Sequence, residues 1–360
     1  MFWRAWPSSL RPLFYKLKTS VMNPILLFND LHVSKDSVLE FKKNWNEMLS
    51  ICKKYDVNTV FIGGDLFDSP TVQVNSVMAA VDECFADAQK QGVAIHIAPG
   101  NHDLPDRKLT DSWCDRFHYT ATVHKQPYLY ELDLGLWLAI FPYYLEDSVF
   151  PKVLDDFESG LSAKGIDKGD VILYLHAGIH GALGDFDVPN ELPQKMLAGY
   201  HRVLCGHYHN RVHIKGTKVY YIGASRAHNF GEDEDKGYTL LYSDGETKFV
   251  KNEVNTRYVT EHLKLSELKS WKSDYDELYK VRLIVHCKSN EVELVNKQEL
   301  IDRGASKIDF NTEKIQAIKA EQSGVNEKFD TKDLQQEYRR YCSEKDIDGR
   351  MGIDYLNKID

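Results

Sequence analysis

The sequence has no apolar run approaching the roughly 20 residues that span a bilayer. It also lacks a short hydrophobic core followed by a small-residue cleavage site, so nothing marks a secretory signal. A soluble, cytoplasmic protein with no membrane partner is expected. Cysteine is sparse and scattered: Cys52, Cys84, Cys114, Cys205, Cys287 and Cys342 form no C-x-x-C pair. That argues against both a disulfide framework and a thiolate zinc site. Cys205, inside the apolar run "RVLCG", reads as a small core residue.

An excess of positive charge is missing too. The 45 Lys and Arg are outnumbered by 54 Asp and Glu, a net −9 at pH 7. This argues against a protein that coats nucleic acid by charge alone. It does not exclude an enzyme acting on nucleic acid, because bound metal ions would place positive charge where phosphate must sit. No internal repeat and no low-complexity tract interrupts the chain.

What is present is enough apolar material for a sizeable core: 42% of 360 residues are hydrophobic, which suits two domains better than one. Residues 1–21 carry Arg and Lys but no acid, and Met22 directly precedes the first apolar run. Three readings stand open there: an organelle presequence, a basic membrane-touching arm, or a stretch upstream of the working start, the last being preferred.

After the strand Ile25–Phe28, Val38, Phe41, Trp45, Met48 and Cys52 recur at helical spacing. "TVFIGG" then reads as a strand, Val74 to Phe85 as a second helix, and "VAIHIAPG" as a third strand. Such alternation predicts a parallel α/β sheet. Further strands are expected at "LWLAIFPYY", "VILYLHA", "YHRVLCGH", "KVYYIGAS" and "GYTLLYS", with hairpin-like spacing among the last. The count suits two packed sheets flanked by helices. From about residue 255 the texture becomes charged, and "HLKLSELKSWKSDYDELYK" reads as a connector. A strand, helix, strand unit follows, ending in "SKIDF", and from about 320 a helical tail anchored by Phe329, Leu334, Tyr338 and Tyr341.

Functional groups in open α/β sheets collect beyond the carboxyl ends of strands. Five expected strands end in such groups: Asp30-Leu31-His32, then Gly64-Asp65 with Asp68, then Gly100-Asn101-His102-Asp103, then His176, then Gly206-His207-Tyr208-His209. Taken singly, each is better explained by a helix cap or a satisfied polar residue. Together, on one edge of one sheet, the carboxylate, amide and imidazole donors suit two divalent metals such as manganese, iron or zinc. The glycines beside them permit tight turns.

In that order the motifs D-x-H, G-D-x-x-D, G-N-H-D, H and G-H-x-H resemble the calcineurin-like metallophosphoesterase superfamily over roughly residues 25–245. The resemblance implies a two-sheet α/β sandwich flanked by helices over 22–255. It implies that Asp30, His32 and His209 bind one metal, that Asn101, His176 and His207 bind the other, and that Asp65 bridges both. It further implies hydrolysis of a phosphate ester, with His102 acting on the leaving group, Asp103 orienting it, and Asp68 steadying a ligand. His180 is weighed equally as a substrate contact and as a simple loop histidine.

Residues 219–241, "VYYIGASRAHNFGEDEDKGYTLL", are similar to a segment of SbcD-type nucleases, and 256–315 to their small α+β capping domain, which binds DNA. This likeness implies a manganese-dependent DNA exonuclease or endonuclease, with Mg2+, Fe2+ or Zn2+ as other ions. Its partner would be an SbcC-type coiled-coil ATPase docking on residues 326–356 of the tail 316–360, with a homodimer also in view. Asp68, in place of a histidine, points to the bacterial and phage members. Two other readings are kept: a stand-alone phosphodiesterase or phosphatase for a small phosphoester, and a metal-binding scaffold without activity.

Overall fold

A computed structural model of the chain describes residues 23–106, 111–146, 148–184 and 188–313. The readings made for 1–21 and for the tail 316–360, docking segment included, lie outside the described residues. Along the chain run β1 (Ile25–Phe28), α1 (Val38–Tyr55), β2 (Thr59–Ile62), α2 (Asn75–Lys90), β3 (Ala94–Ile97), β4 (Thr122–Val123), β5 (Tyr128–Glu131) and β6 (Trp137–Phe141). Then come α3 (Phe150–Ala163), β7 (Val171–His176), β8 (Arg202–Gly206), β9 (Arg211–His213), β10 (Val219–Ile222), β11 (Gly237–Leu241) and β12 (Thr247–Lys251). The last are β13 (Arg257–Lys264), β14 (Tyr279–Lys288), α4 (Lys297–Asp302) and β15 (Ala305–Glu313).

β1 shows how one apolar run builds two cores. Ile25 and Leu27 face Leu138, Ile140, Ile172, Tyr174 and Leu204 of another sheet. Leu26 and Phe28 point the opposite way, into a cluster with Phe41 and Trp45 of α1 and Phe85 of α2. Side chains alternate across a strand, so burial on both sides requires four apolar residues in a row. Behind the other sheet, Phe141, Leu173, Leu175 and Val203 pack on Phe150, Leu154 and Leu161 of α3. The result is two six-stranded sheets packed face to face with helices outside them, the two-sheet α/β sandwich that the sequence implied.

The first sheet has the order β12-β11-β1-β2-β3-β4 and the second β5-β6-β7-β8-β10-β9. β1 to β4 run parallel, as do β6, β7, β8 and β10. Two expectations need correction here. The strands read as closely spaced hairpins are not paired that way: β8 and β10 are parallel, and β10 and β11 belong to different sheets. Spacing along a chain does not say which sheet a strand joins. The sequence reading also has no helix at 150–163, although Phe150, Leu154 and Leu161 recur at helical spacing and are the residues α3 buries.

A third sheet, β13-β14-β15, has its own small core of Leu268, Trp271, Val281, Leu283, Val285, Leu300 and Ala305. The expected connector is therefore ordered from its start. His262, Leu263 and Lys264 pair in parallel register with Ile284, Val285 and His286. Half-buried and exposed side chains alternate over Glu261–Lys264, so charged residues on the open face hid the strand. These elements belong to one unit that runs to Cys287 and resumes over Glu291–Asn311; residues 288–290 and 312–313 go with a second. Among the described residues no helix is long and apolar enough to cross a membrane.

α1 holds the segment that leads into the third sheet. Glu47 accepts from the Tyr238 hydroxyl at 3.0 Å, Asn252 Nδ2 at 2.8 Å and the Glu253 amide at 2.7 Å. Two turns earlier on the same helix face, Glu40 accepts from Asn255 Nδ2 and the Thr256 amide, both at 2.9 Å. Burial raises the Glu40 carboxyl, but the bonds from Asn255, Thr256 and Lys43 outweigh it and hold the group down at about 2. A carboxyl depressed on folding stabilises the protein above its unfolded pKa, and that contribution is lost as pH falls toward 2. Glu40→Gln should therefore flatten the acid limb of stability against pH, read by urea midpoints between pH 5 and pH 2 (roughly the span in which such a carboxyl titrates). Glu47→Ala should cost about 1–3 kcal/mol and make residues 252–257 an early site of limited proteolysis. An unchanged midpoint and cleavage pattern would show that the clamp holds nothing.

Candidate metal centre

The turns that leave β1, β2, β3, β7 and β8 meet at one place. Asp30 and His32 follow β1, Asp65 and Asp68 follow β2, and Asn101, His102 and Asp103 follow β3. His176 ends β7, and His207 and His209 follow β8. β1 to β3 belong to one sheet and β7 and β8 to the other, so the expectation of a single sheet edge is corrected. A lone edge would string its donors out at strand spacing, about 4.8 Å apart. Two adjoining edges close around a point.

Backbone bonds lock the turns together. Asp30 and His32 amides donate to the carbonyls of Gly64 and Asp65, both at 3.0 Å. The His102 amide donates to Asp65 Oδ1 at 2.9 Å, and the His207 amide lies 3.2 Å from both Asp30 oxygens. From the other sheet, the Tyr174 hydroxyl donates to the Phe28 carbonyl and meets Asn29 Oδ1, each at 3.0 Å. Two close approaches require glycine. A Cβ on Gly100 would overlap the Asp65 side chain and amide, and one on Gly64, whose φ is +99°, would overlap the His176 ring.

The backbone is left-handed at Asp30 (φ 53°), His32 (42°), Asp65 (53°) and His207 (92°). Among the described residues only Asp56 and Asn190 share that region without being glycine. Left-handed side-chain residues cost of order 1 kcal/mol or more and persist where the surroundings over-determine them. Their concentration here marks a functional site independently of any motif.

The side chains converge. Ligand atoms of Asp30, His32 and His209 lie within 4.8 Å of one another, as do those of His32, Asp65 and His102, and those of Asp65, His176 and His207. His32 Nε2 faces His209 Nε2 at 3.1 Å. His176 Nε2 and His207 Nδ1 each lie 3.1 Å from Asn101 Oδ1. His176 gives its Nδ1 proton to the Gly63 carbonyl at 2.8 Å, which leaves Nε2 directed at Asp65 Oδ2, 3.3 Å away.

Burial sets the charges. It pushes His32 down to about 3 and, with His176 adding to the effect, His207 down to about 4. Both are neutral imidazoles with a lone pair to offer. Burial also disfavours charge on His176, but Asp65 beside it wins and lifts that ring to about 10. Asp30 is raised by burial, whereas Asp65, equally buried, is held well below the usual carboxylate range by His176 and His32.

All seven residues that the sequence suggested as ligands are thus brought together. Asp103 is a correction. Its buried carboxylate accepts from the amides of Gly100 at 2.8 Å, Phe67 at 3.0 Å and Leu66 at 3.3 Å, so it braces the turns instead of orienting His102. Burial raises it to about 7. His102 Nδ1 donates to the Asp68 carbonyl instead. The Asp68 carboxylate stands 3.7 Å from His32 Nδ1, beyond hydrogen-bond length. His180 lies in the segment after β7, its amide bonded to the Leu192 carbonyl at 3.0 Å and its carbonyl to Gln194 Nε2 at 2.6 Å.

Three neighbours escaped the sequence reading. Asn29 donates to Asp30 Oδ2 and to the Gly223 carbonyl. His228 Nε2 lies 2.8 Å from the Asp30 carbonyl, and Glu232 lies 2.9 Å from His209 Nδ1. Adjacency to Asp30 could have pointed to Asn29, and His228 and Glu232 lie in the segment 219–241 singled out for its likeness, though that likeness gave neither a role.

The donor set fits divalent cations. Oxygen from two carboxylates and an amide is combined with imidazole nitrogen and no thiolate, which suits octahedral-leaning ions. Asp65 and His32 each belong to two of the three groups, and of these Asp65 is the carboxylate, whose two oxygens can serve a pair of ions.

A family model described as calcineurin-like phosphoesterase matches residues 23–221. Among solved structures, the chain is similar to a dimetal phosphatase from Danio rerio, with 11% identity, a TM-score of 0.42, and coverage of 62% of this chain and 93% of that one. It is also similar to the nuclease MPE of Pseudomonas putida, with 13% identity, a TM-score of 0.30, and coverage of 61% and 84%. No curated protein sequence matches it.

Gly100→Ala should displace Asp65 and weaken Mn2+ binding by about 10- to 100-fold, the range seen when groups supporting a ligand are lost. Calorimetric titration of metal-stripped protein measures this. Wild-type affinity in the variant would show that the close approach of the two turns does not govern the site.

Proposed function

The chain belongs to the calcineurin-like phosphoesterase family, whose members hydrolyse phosphoesters with bound metal, and from that premise we propose that it is a Mn2+-dependent DNA nuclease. Asp30, His32 and His209 would hold one ion, Asn101, His176 and His207 the other, with Asp65 between them. When bound, the ions would supply Lewis acidity at the phosphoryl oxygens and make water a better nucleophile.

The rest is done by side chains. Asp30 and Asp65 place buried negative charge where a phosphodiester must come, so the centre accepts such a substrate only when its net charge has become positive. His102 lies at the rim of the centre, its ring edge-on to His32 at 4.9 Å. With Nδ1–H held by the Asp68 carbonyl, Nε2 is the atom that, once the ring is doubly protonated, can deliver its proton to the leaving oxygen and so return to the neutral imidazole.

One observation favours DNA over a small ester. The loop that follows β10 reaches the third sheet: Phe230 packs edge-on against Tyr258 at 5.0 Å, and the Arg282 guanidinium lies over the Phe230 ring at 5.2 Å. Lys280 stands over Tyr258 at 5.6 Å. Aromatic faces interleaved with cations are what single-stranded nucleic acid stacks on. The segment 219–241, whose sequence is similar to SbcD-type nucleases, includes this loop. On the same likeness we propose an SbcC-type ATPase as partner, docked on residues 326–356, the third sheet as a DNA-binding cap, and the cytoplasm as the place of work.

The test is to incubate purified protein with Mn2+ and labelled duplex DNA, single-stranded DNA or bis(p-nitrophenyl) phosphate, with and without the ATPase. DNA cleavage abolished by EDTA is expected. His102→Ser should lower it about 10²- to 10⁴-fold while DNA binding persists. Hydrolysis of the small ester with no cleavage of any DNA would overturn the nuclease reading in favour of a stand-alone phosphodiesterase.

A further inference from the structure

Glu232, on the loop between β10 and β11, is nearly buried, its side chain 7% exposed. Both of its oxygens are engaged. Oε1 lies 2.9 Å from His209 Nδ1 and accepts from Asn229 Nδ2 at 2.9 Å. Oε2 accepts from the His228 amide at 3.3 Å and stands 3.6 Å from Lys236 Nζ.

A carboxylate only accepts, so in its contact with His209 the ring must supply the proton. Nδ1 therefore carries hydrogen, and Nε2 is the atom that faces His32 Nε2 at 3.1 Å. The carboxylate is itself held in place. Lys236 Nζ also donates to the His209 carbonyl and to Asn210 Oδ1, each at 2.9 Å, which ties the Glu232 loop to the turn that carries His209. Two residues before Glu232, Phe230 is held between Tyr258 and Arg282 of the third sheet.

We propose that Glu232 is a positioning residue for His209. Its carboxylate fixes the imidazole's tautomer and direction and raises its basicity, and so tunes the ion held by Asp30, His32 and His209. The other ion's residues do not touch it. The inference rests on the two-cation reading of the centre.

The full chain, stripped of metal, is titrated with Mn2+ by calorimetry and by electron paramagnetic resonance. Wild type should bind two ions. In Glu232→Ala one of the two should weaken about 10- to 100-fold while the other is unchanged. Glu232→Gln, whose amide oxygen still accepts the Nδ1 proton but bears no charge, should recover part of the loss. A carboxylate that merely paired with Lys236 would alter both ions together or only the melting temperature, and that result overturns the proposal. So does wild-type binding of both ions by both variants.

A readout without metal separates this proposal from its premise. Nitrogen-15 spectra of the imidazoles should show His209 protonated at Nδ1 in wild type and Glu232→Gln, and no longer held in that form in Glu232→Ala. A His209 ring carrying its proton at Nε2 alone in wild type refutes the role of Glu232 even if two ions bind. Should wild type bind no Mn2+ at all, the two-cation reading fails, and the proposed tuning falls with it.

Discussion

Asp65 is the residue around which the other turns are arranged. Its carbonyl accepts from His32, its Oδ1 from the His102 amide, and its Oδ2 stands 3.3 Å from His176 and 3.6 Å from His32. To bring three chain segments this close to one carboxylate, the residues on either side must give way. Gly64 and Gly100 do so by having no side chain, and Asp30, His32, Asp65 and His207 by taking up a left-handed backbone. That conformation is unfavourable in isolation and is held by packing behind it: Phe28, Ile62 and Ile97, the last residues of the strands feeding these turns, are fully buried.

The same arrangement concentrates buried charge, which demands partners. Part of the answer lies in His176, which Asp65 lifts to about 10, and part in a shell of supporting contacts. Arg226 is buried with its guanidinium donating to the carbonyls of Leu31 and His32 at 2.8 and 3.1 Å, which fixes the turn after β1 from behind. Asn29 steadies Asp30, and Glu232 engages His209. Because Phe230, in the same loop as Glu232, packs on Tyr258, the site and the third sheet share one short stretch of chain.

Much of this was legible in the residues themselves. The unbroken apolar run of β1 and the 3–4 spacing of Phe41, Trp45, Met48 and Cys52 reflect local geometry, and they predicted the elements that formed. The donor-bearing strand ends could be read as well, since a carboxylate or imidazole just after an apolar run is conspicuous. Less legible were α3, which has few buried residues, and β13, whose charged face masks its alternation. Asp103 shows a different failure. Its sequence position beside His102 suggested a pair, but its side chain turns to three amides, because buried N–H groups compete for any acceptor within reach.

The sequence alone therefore determined which residues have the chemistry to bind metal, and which strands deliver them, because both are properties of single residues and their near neighbours. Only the tertiary structure decided that two sheets contribute, that four of the donors sit on a left-handed backbone, and that Glu232 reaches His209 from 23 residues away. Those are relations between segments distant in the chain, and they exist only once packing of the two sheets has brought the segments together.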